Sequence, residues 1–521
     1  MFPLGLTARP VKAAIFALAA TLASVAVGWA QSAAPNAQDI VIDAPPEAEK
    51  AAAPPATAEK PPVAATKSQR SETLQGSETL QGAEKLVGPE KPSANQAIRA
   101  ALIRVASDIG HIAPEWRPQR HALEAYYAAR GDAPVWLDHG QWTPAARSAF
   151  QRLQRAGEDG LDLRAFRVYS LDQGPEAAMA LADVALSEAG AAYAFQASGG
   201  RVDPARISRL IGARPQIVAP AQALDETSTA PDADSALQSF NPHQPGYVAL
   251  REKLEQMRTD TAPVALLAAT ETSRRASDAV GAIRPGRNAG LESELLVNME
   301  FWRWQPRDFS ADRIVVNIPE FNARLYRDNA LILESRVIVG KPDKPTPLFS
   351  NRMEYLIVNP SWNVPQSIIK NEMMNKLDSL RRMGYDVEYI GGRLHVRQPP
   401  GERNALGRIK FIFPNDYAVY MHDTPTRNLF ASTKRAFSHG CVRVDQPFKL
   451  AETLLRPDRG WTEARIKKLL GNSERRVSLP EPLPIHIVYF TMSVDEKGEM
   501  RRFDDVYAYS GKLRALLGLG G

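Results

Sequence analysis

Residues 437–444 read FSHGCVRV, and this octapeptide contains Cys441, the only cysteine among 521 residues. A histidine, His422, lies nineteen residues upstream in the segment YMHDTP. A lone cysteine has no intramolecular disulfide partner, which leaves packing or reactivity as its role. Gly440 permits a close backbone approach, and cations outnumber acids around the thiol, which favours the nucleophilic thiolate. The flanking acids are Asp423 and Asp445, and the cations are Arg427, Lys434, Arg435, Arg443 and Lys449. The octapeptide therefore predicts a loop that presents a reactive cysteine.

Outward from the octapeptide, the chain carries the pattern of short β-strands. The octapeptide itself leads into one strand, and YAVYMH (417–422) predicts another that ends at His422. Alternating, β-branched runs with turn residues between them are typical of such strands. The other runs are RIVVNIP, FNARLYRD, LILESRVIVG, MEYLIVNP, RLHVRQ, RIKFIFP, PIHIVYFTMSV and FDDVYAY. We therefore predict one mostly β domain over residues 307–511, since roughly 200 residues suffice for an independent core.

A helical pattern, QSIIKNEMMNKLDSLRRMG, interrupts these strands at residues 366–384. We assign residues 366–400 to a helical capping insertion of the β domain. Its Met373, Met374 and Met383 offer adaptable apolar contacts, so a lid over the thiol is one interpretation. A passive helix that completes the core is the other.

Residues 96–306 place apolar side chains at spacings of three and four, which predicts a helical domain. We therefore expect a multidomain α+β protein, with an all-α scaffold domain followed by the mostly β domain. Six aromatics in the helical part are open to two interpretations, a glycan-binding groove or the core. Aromatics at helical spacing are more often core residues. The six are Trp136, Trp142, Tyr193, Phe195, Trp302 and Trp304.

The N-terminus predicts export. Arg9 and Lys12 precede an apolar run over residues 13–30, and small residues suit cleavage after Ala30. We assign residues 1–30 to a Sec-type signal peptide, with an uncleaved membrane anchor as the alternative. Residues 31–95 are rich in Ala and Pro and contain a tandem SETLQG repeat, which predicts a disordered linker. Residues 512–521 are assigned to a C-terminal tail.

Several segments resemble the YkuD-type L,D-transpeptidases, enzymes that crosslink peptidoglycan. They are HDTP (422–425), SHGCVRV (438–444) and NALGRIKFIFPN (404–415), and the spacing between His422 and Cys441 is similar as well. The helical scaffold, NMEFWRW (298–304) and NPSWNVP (359–365) are similar to the YcbB-like branch. That branch usually carries a peptidoglycan-binding module after the scaffold, and residues 261–290 are too few and too Ala-rich to contain one. The resemblance covers residues from about 95 to 511 and implies a YkuD-type catalytic domain.

Cys441 and His422 are the candidate nucleophile and general base. His422 is suited to take the thiol proton and to return one to the leaving amine. A hydrogen-bonded core histidine is the alternative for His422, and its pairing with the sole cysteine favours catalysis. The resemblance implies that the carbonyl of Asp423 orients the imidazole. His439 competes for the base role or binds substrate, but its closeness to Cys441 in sequence restricts its geometry.

The remaining candidates surround the nucleophile. We expect the backbone amides of Gly440 and Cys441 to stabilise an oxyanion, and the resemblance adds the side chain of Tyr420. Arg443 suits bidentate binding of a substrate carboxylate, with a salt bridge inside its loop as the alternative. Ser438 and His439 complete the predicted substrate-binding set, which also includes Tyr420 and Arg443.

Composition and spacing argue against other classes of site. His422, His439 and Cys441 lack the spacing of metal ligands and a fourth partner, so we expect no metal and no cofactor. No glycine-rich segment has the context of a phosphate-binding loop. The net charge of +5 and the isoelectric point near 9.1 suit anionic wall polymers, and the dispersed cations predict no nucleic-acid binding.

The resemblance implies a periplasmic, cell-wall-associated thiol acyltransferase that forms 3→3 crosslinks between peptidoglycan stem tetrapeptides. A carboxypeptidase or amidase that hydrolyses stem peptides or protein–wall linkages is one alternative, and a non-catalytic wall-binding scaffold is another. Further partners are other wall-synthesis proteins, and the inner membrane if the signal stays uncleaved. Carbapenems are the expected covalent probes of the thiol.

Overall fold

The structure, a computed structural model, describes residues 93–107, 116–266, 289–495 and 497–520. The predicted signal peptide, nearly all of the predicted linker and most of the interval 261–290 lie outside these residues. In the described part of the chain, no helix combines the length and apolarity needed to cross a membrane.

The N-terminal half of the described chain is helical. Its longest helix, α4, is Ala-rich and buried on almost every side, which makes it the centre around which the other helices pack. The helices are α1 (Ala94–Ser107), α2 (Arg117–Ala129), α3 (Pro144–Gln154), α4 (Glu176–Gly199), α5 (Pro220–Ser228), α6 (Ala233–Gln238), α7 (Pro245–Leu266) and α8 (Ala289–Arg303). A short hairpin joins β1 (Leu137–Asp138) to β2 (Gln141–Trp142). The helical scaffold part of the predicted fold class is confirmed.

The six aromatics of this half are core residues in the structure. Trp136, Trp142, Tyr193 and Trp304 are buried, whereas Phe195 and Trp302 are partly buried and pack against the core clusters. The interpretation as a glycan-binding groove is therefore wrong for these side chains.

The C-terminal half is built on one nine-stranded sheet, in the order β12-β5-β13-β11-β10-β6-β14-β3-β4. A further pairing of β4 with β5 closes eight of these strands on themselves. The strands of the sheet are β3 (Arg313–Asn317), β4 (Asn322–Arg327), β5 (Ala330–Gly340), β6 (Phe349–Val358), β10 (Ile409–Ile412), β11 (Met421–His422), β12 (Ala436–Ser438), β13 (Val442–Val444) and β14 (Arg475–Val488). The mostly β part of the predicted fold class is confirmed.

The insertion after β6 forms a small unit of its own. A three-stranded sheet consists of β7 (Trp362–Asn363), β8 (Asp386–Ile390) and β9 (Arg393–Gln398), with β9 in the middle. The segment 366–384 is helical but broken, with a π turn at Ile369–Met373 between α9 (Gln366–Ile368) and α10 (Leu377–Arg382). A separate apolar cluster under these elements includes Val364, Ile369 and Leu380.

The chain then ends in helices and a second hairpin. These elements are α11 (Pro447–Leu455), α12 (Glu463–Lys467), β15 (Met492–Val494), β16 (Met500–Arg502) and α13 (Tyr509–Leu516). Two predictions are wrong here. The segment FDDVYAY is not a strand, because the Asp505 carboxylate accepts hydrogen bonds from the Tyr489 hydroxyl and from backbone amides at the start of α13. Residues 512–521 are not a tail, since Leu513 and Leu517 are buried in the main core.

Candidate active site

Three neighbouring strands bring the predicted catalytic residues together. Lys410 of β10 lies opposite His422 of β11, and His422 lies beside Arg443 of β13. Residues paired in register point to the same face of a sheet, and residues two apart on a strand share a face. Tyr420 and Cys441 precede His422 and Arg443 by two positions. The five side chains therefore converge on one face.

The opposite face of the same strands fixes their position. The alternating neighbours Phe411, Met421, Val442 and Val444 are fully buried in the main core. A shift of one residue in any of these strands would exchange the two faces. The core thus sets the register that places His422 beside the strand that Cys441 directly precedes.

The imidazole of His422 is buried and held through Nδ1. The carbonyl of Asp423 lies 2.5 Å from this nitrogen, the contact that the resemblance implies. Burial, together with the nearby charges of Arg443 and Lys410, lowers the pKa of His422 to about 3. An imidazole with such a pKa is neutral at pH 7, the form in which it accepts a proton.

The side chain of Asp423 anchors the backbone that orients His422. Its carboxylate accepts hydrogen bonds from the amides of Arg408 and Thr424 and from the guanidinium of Arg427. Gly407 lies directly against it with φ at +62°, and an added Cβ there would come within 2.4 Å of the carboxylate carbon. The glycine is therefore required for the close approach that fixes the end of β11.

Cys441 is partly exposed and lies beside Tyr420. The hydroxyl and the backbone of Tyr420 lower the pKa of the thiol, as do the charges of Lys410 and Arg443. Burial is the larger effect and raises the pKa of Cys441 above its usual value. The resting site therefore combines a neutral thiol with a neutral base.

The prediction that five flanking cations stabilise a thiolate is mostly wrong. Arg427 pairs with Asp423 and Asp445, Lys434 with Asp504, and Lys449 with Glu452. Arg435 donates to three backbone carbonyls. Four of the five cations are therefore paired with other carboxylates or carbonyls, and only Arg443 acts on the thiol.

The loop around Cys441 is closed by Ser438. The Ser438 hydroxyl donates to the carbonyl of Cys441 at 2.5 Å and accepts from the amide of Gly440 at 3.1 Å. Gly440 has φ at +117°, which a side chain would not tolerate. Ser438 is buried, and its bonds assign it a turn-closing role; its contact with a substrate stays a prediction. Since the Gly440 amide is bonded to Ser438, the amide of Cys441 is the freer oxyanion candidate in the described part of the chain.

Arg443 makes no ion pair in the described part of the chain. The carboxylates of the flanking acids Asp423 and Asp445 are paired with Arg427 and with Arg336. Its one polar contact is a long one of 3.5 Å to Thr426, and its Nε is buried without a partner. The alternative of a salt bridge inside the loop is therefore wrong, and the guanidinium is available for an anion.

His439 faces the capping insertion. Its Nε2 lies 2.7 Å from Oε1 of Glu372, which is in the π turn. The structure thus brings the insertion into contact with the residue two positions before the nucleophile. Both side chains are partly exposed, so the contact is at the rim of the site.

Lys410 is a site residue that the sequence reasoning missed. It lies within NALGRIKFIFPN, where alternation along the strand predicts that it faces away from Phe411 and the core. The observation that would have identified Lys410 is the pairing of its strand with YAVYMH. The spacing of residues in the sequence does not show which strands pair.

The catalytic half matches a known family. Residues 311–466 match the family model of the YkuD L,D-transpeptidase catalytic domain, and residues 121–254 match that of a scaffold domain. Residues 311–466 form a YkuD-type L,D-transpeptidase domain. All the candidate site residues lie within the L,D-transpeptidase domain, and the predicted resemblance to the YkuD type is confirmed. The YcbB-like branch stays a prediction.

Individual relatives cover part of the chain. A Haemophilus influenzae protein described as "Putative L,D-transpeptidase" is 35% identical over 254 residues, which are 44% of this chain and 51% of the relative. The chain therefore spans about half the length of this curated relative. Solved L,D-transpeptidases from Mycobacterium smegmatis and Mycobacterium tuberculosis are 15% and 13% identical, each over 34% of this chain and over 58% and 60% of their own. Both have a TM-score of 0.19, at which a structural similarity supports no further argument.

Proposed function

We propose that this protein is a peptidoglycan L,D-transpeptidase that forms 3→3 crosslinks between stem peptides through a thioester on Cys441. The observation that carries the proposal is that a neutral, buried His422 lies at the end of β11, beside the strand that directly follows the sole cysteine, within a YkuD-type domain.

Acylation follows from the protonation states of the two residues. His422 takes the proton of the Cys441 thiol as Sγ attacks the amide carbonyl at the L-centre of the third stem residue. The carbonyl oxygen becomes an oxyanion, for which the Cys441 amide and the Tyr420 hydroxyl are the candidate donors. When the intermediate collapses, the C–N bond breaks and the imidazolium of His422 protonates the leaving amine of D-Ala. The product is a thioester, and His422 is neutral again.

Deacylation repeats these steps with an amine in place of the thiol. His422 accepts a proton from the amine of a second stem's diaminopimelate as that amine attacks the thioester. The C–S bond breaks, Cys441 regains a proton, and a 3→3 crosslink results. We assign Arg443 to a substrate carboxylate, because its guanidinium faces the site without an acidic partner among the described residues.

Water in place of the amine gives the hydrolytic alternative, an L,D-carboxypeptidase or amidase. The contact of the insertion with His439 favours transpeptidation, because a cover over the thioester reduces the access of water. The non-catalytic scaffold alternative is disfavoured by the neutral base beside an accessible thiol. We retain the periplasm as the proposed location, on the N-terminal sequence alone.

A thioester is detectable directly. Purified protein is incubated with disaccharide-tetrapeptide, quenched in acid, digested at low pH and analysed by mass spectrometry. The peptide that contains Cys441 should gain the donor mass minus D-Ala. A carbapenem should label the same peptide, and Cys441→Ala should show neither adduct. Absence of both adducts on folded wild-type protein would leave the scaffold alternative standing.

A further inference from the structure

We propose that Lys410 is a positioning residue that stabilises the developing thiolate of Cys441, and that the Tyr420 ring holds its ammonium group in place. The inference rests on the proposed role of Cys441 as the nucleophile.

The sheet places Lys410 on the catalytic face. In the antiparallel pair of β10 with β11, Lys410 is directly opposite His422. Its neighbours Ile409 and Phe411 point into the core and fix this orientation. The lysine is thus built into the same three-strand platform as the base and the nucleophile.

The ammonium group is held by an aromatic ring and not by an acid. Nζ of Lys410 lies 3.9 Å from the centre of the Tyr420 ring, within the range of a cation–π contact. Among the described residues, no carboxylate lies within 4.0 Å of Nζ and no hydrogen bond is made by it. Glu474 is the acid whose charge acts on Lys410, and its Oε1 is hydrogen bonded to the Ser361 hydroxyl at 2.7 Å.

Tyr420, Lys410 and Arg443 act on Cys441, and His422 lies between Lys410 and Arg443 on the neighbouring strands. Burial lowers the pKa of Lys410, whereas the charge of Cys441 and that of Glu474 raise it. Lys410 in turn lowers the pKa of Cys441 against the effect of burial. An unneutralised cation in a partly buried site is a stronger electrostatic partner than one on the surface.

Lys410 and Arg443 have different surroundings, which separates their roles. Arg443 presents a planar group with several donors that suits a carboxylate. Lys410 is a compact charge held over the ring of Tyr420, a residue that also acts on the thiol. In the acylation step Lys410 forms and breaks no bond and keeps its proton. It lowers the free energy of the state in which the thiol proton has moved to His422 and the sulfur carries the negative charge.

Alkylation of the thiol tests this directly, because the chain has one cysteine and the readout needs no peptidoglycan. The second-order rate of iodoacetamide alkylation is measured from pH 6 to pH 10 for wild type, Lys410→Met, Lys410→Gln and Lys410→Arg. The control is Lys467→Met, which removes a lysine that also lies over a ring, that of Phe448, but is paired with Glu463 at 2.9 Å. Near-ultraviolet circular dichroism checks that each variant is folded.

We expect Lys410→Met and Lys410→Gln to shift the rate profile to higher pH, with a rate at pH 7 about three- to tenfold below wild type. Lys410→Arg should restore most of the rate, and Lys467→Met should superimpose on wild type. Profiles of folded Lys410→Met or Lys410→Gln that superimpose on wild type would overturn the proposal, as would an arginine variant as slow as the neutral ones. Because alkylation reports the thiol alone, a shift remains measurable even if stem peptides prove not to be substrates.

Discussion

The pair of Cys441 and His422 works here from a neutral resting state. Burial raises the pKa of the thiol and lowers that of the imidazole to about 3, so neither group is charged at pH 7. In the proposed mechanism the proton therefore moves during the attack, and the groups that stabilise the resulting charge pair determine the rate. Tyr420, Lys410 and Arg443 are placed to do so.

Removal of the base tests the assignment of the two histidines. His422→Gln should lower the rate of acylation by about 10²- to 10⁴-fold, the usual loss for a positioned proton acceptor. His439→Ala should cost less, because His439 contacts Glu372 of the insertion. Single-turnover acylation with a chromogenic β-lactam measures both. The opposite ranking of the two variants would mean that His439 is the base.

The low pKa of His422 also predicts a pH dependence of stability. The unfolded histidine binds a proton below about pH 6.5, whereas the folded one does so only near pH 3. The free energy of unfolding should therefore fall as the pH drops from 6.5 towards 3, by about 2 kcal/mol at pH 5 for this group. In urea unfolding at pH 7.5 and pH 5, His422→Gln should lose correspondingly less stability than wild type. Equal losses for the two proteins would show that His422 is protonated in the folded state.

At the level of single residues, the sequence predicted those whose chemistry is rare in this chain. Cys441 is unique, and His422 follows from its spacing and from the family resemblance. Lys410 was missed because lysine is common and its role depends on which strands become neighbours. The assignment of four flanking cations to the thiol failed for a similar reason, since their acidic and carbonyl partners come from distant segments.

Among the elements, the capping insertion is the one that reaches the catalytic loop from outside the nine-stranded sheet. Its π turn carries Glu372, which contacts His439, and its surface exposes Met374, Met383, Tyr389 and Ile390. A broken helix has fewer internal hydrogen bonds than a regular one and adjusts more readily. The contact and the break together favour the interpretation as a lid over that of a passive helix.

Replacement of residues 366–384 by a short Gly/Ser loop should raise the ratio of hydrolysed tetrapeptide to crosslinked dimer, because water then reaches the thioester more easily. Glu372→Gln should move the ratio in the same direction by a smaller amount, and Glu388→Gln, an exposed position of the same insertion, should not move it. Chromatography of the products gives the ratio. If the folded loop variant keeps the wild-type ratio, the insertion only completes the core.

Most elements were predictable from the period of their apolar residues, but the bounds of β11 were not. YAVYMH was predicted as a full strand, whereas β11 is confined to Met421 and His422. The side-chain oxygen of Asn415 accepts hydrogen bonds from the backbone amides of Tyr417 and Val419. These bonds hold the first residues of YAVYMH in a turn. Such local bonds compete with the sheet and leave little trace in the apolar pattern.

For the whole molecule, α8 joins the helical scaffold to the sheet. Val297, Phe301 and Trp304 on one side belong to the same core cluster as the strands. On the other side, Glu300 pairs with Arg303 at 3.1 Å, and both are buried. The Glu300 carboxylate also accepts hydrogen bonds from the backbone amides of Arg201 and Val202, which follow α4. The segment NMEFWRW thus fixes the catalytic domain to the scaffold.

Loss of one partner of this buried ion pair should destabilise the packing of α8 between the scaffold and the sheet. Arg303→Met leaves the Glu300 carboxylate buried without its cation and should lower the free energy of unfolding by about 3 to 5 kcal/mol. The double variant Glu300→Gln with Arg303→Met should recover part of that loss, because the amide carries no charge. Urea denaturation followed by tryptophan fluorescence measures both. A double variant no more stable than Arg303→Met would show that the hydrogen bonds of Glu300 to the backbone, and not its charge, stabilise the contact between α8 and the scaffold.

The division of the chain into a helical and a β half was predictable, because the two periods differ and change near residue 312. The closure of the sheet by β4 and β5 was not, since it depends on contacts between strands that sequence order does not specify. The packing of the C-terminal residues on the core was missed because α13 is short, and of its apolar side chains only Tyr509 and Leu513 are buried.

The most direct measurement identifies the product that the purified protein, with its capping insertion intact, forms from disaccharide-tetrapeptide. Tandem mass spectrometry should identify a dimer joined between the two diaminopimelate residues, with one D-Ala released per crosslink and no product from Cys441→Ala. A dimer formed equally well by Cys441→Ala, or hydrolysed tripeptide as the sole wild-type product, would contradict transpeptidation through Cys441.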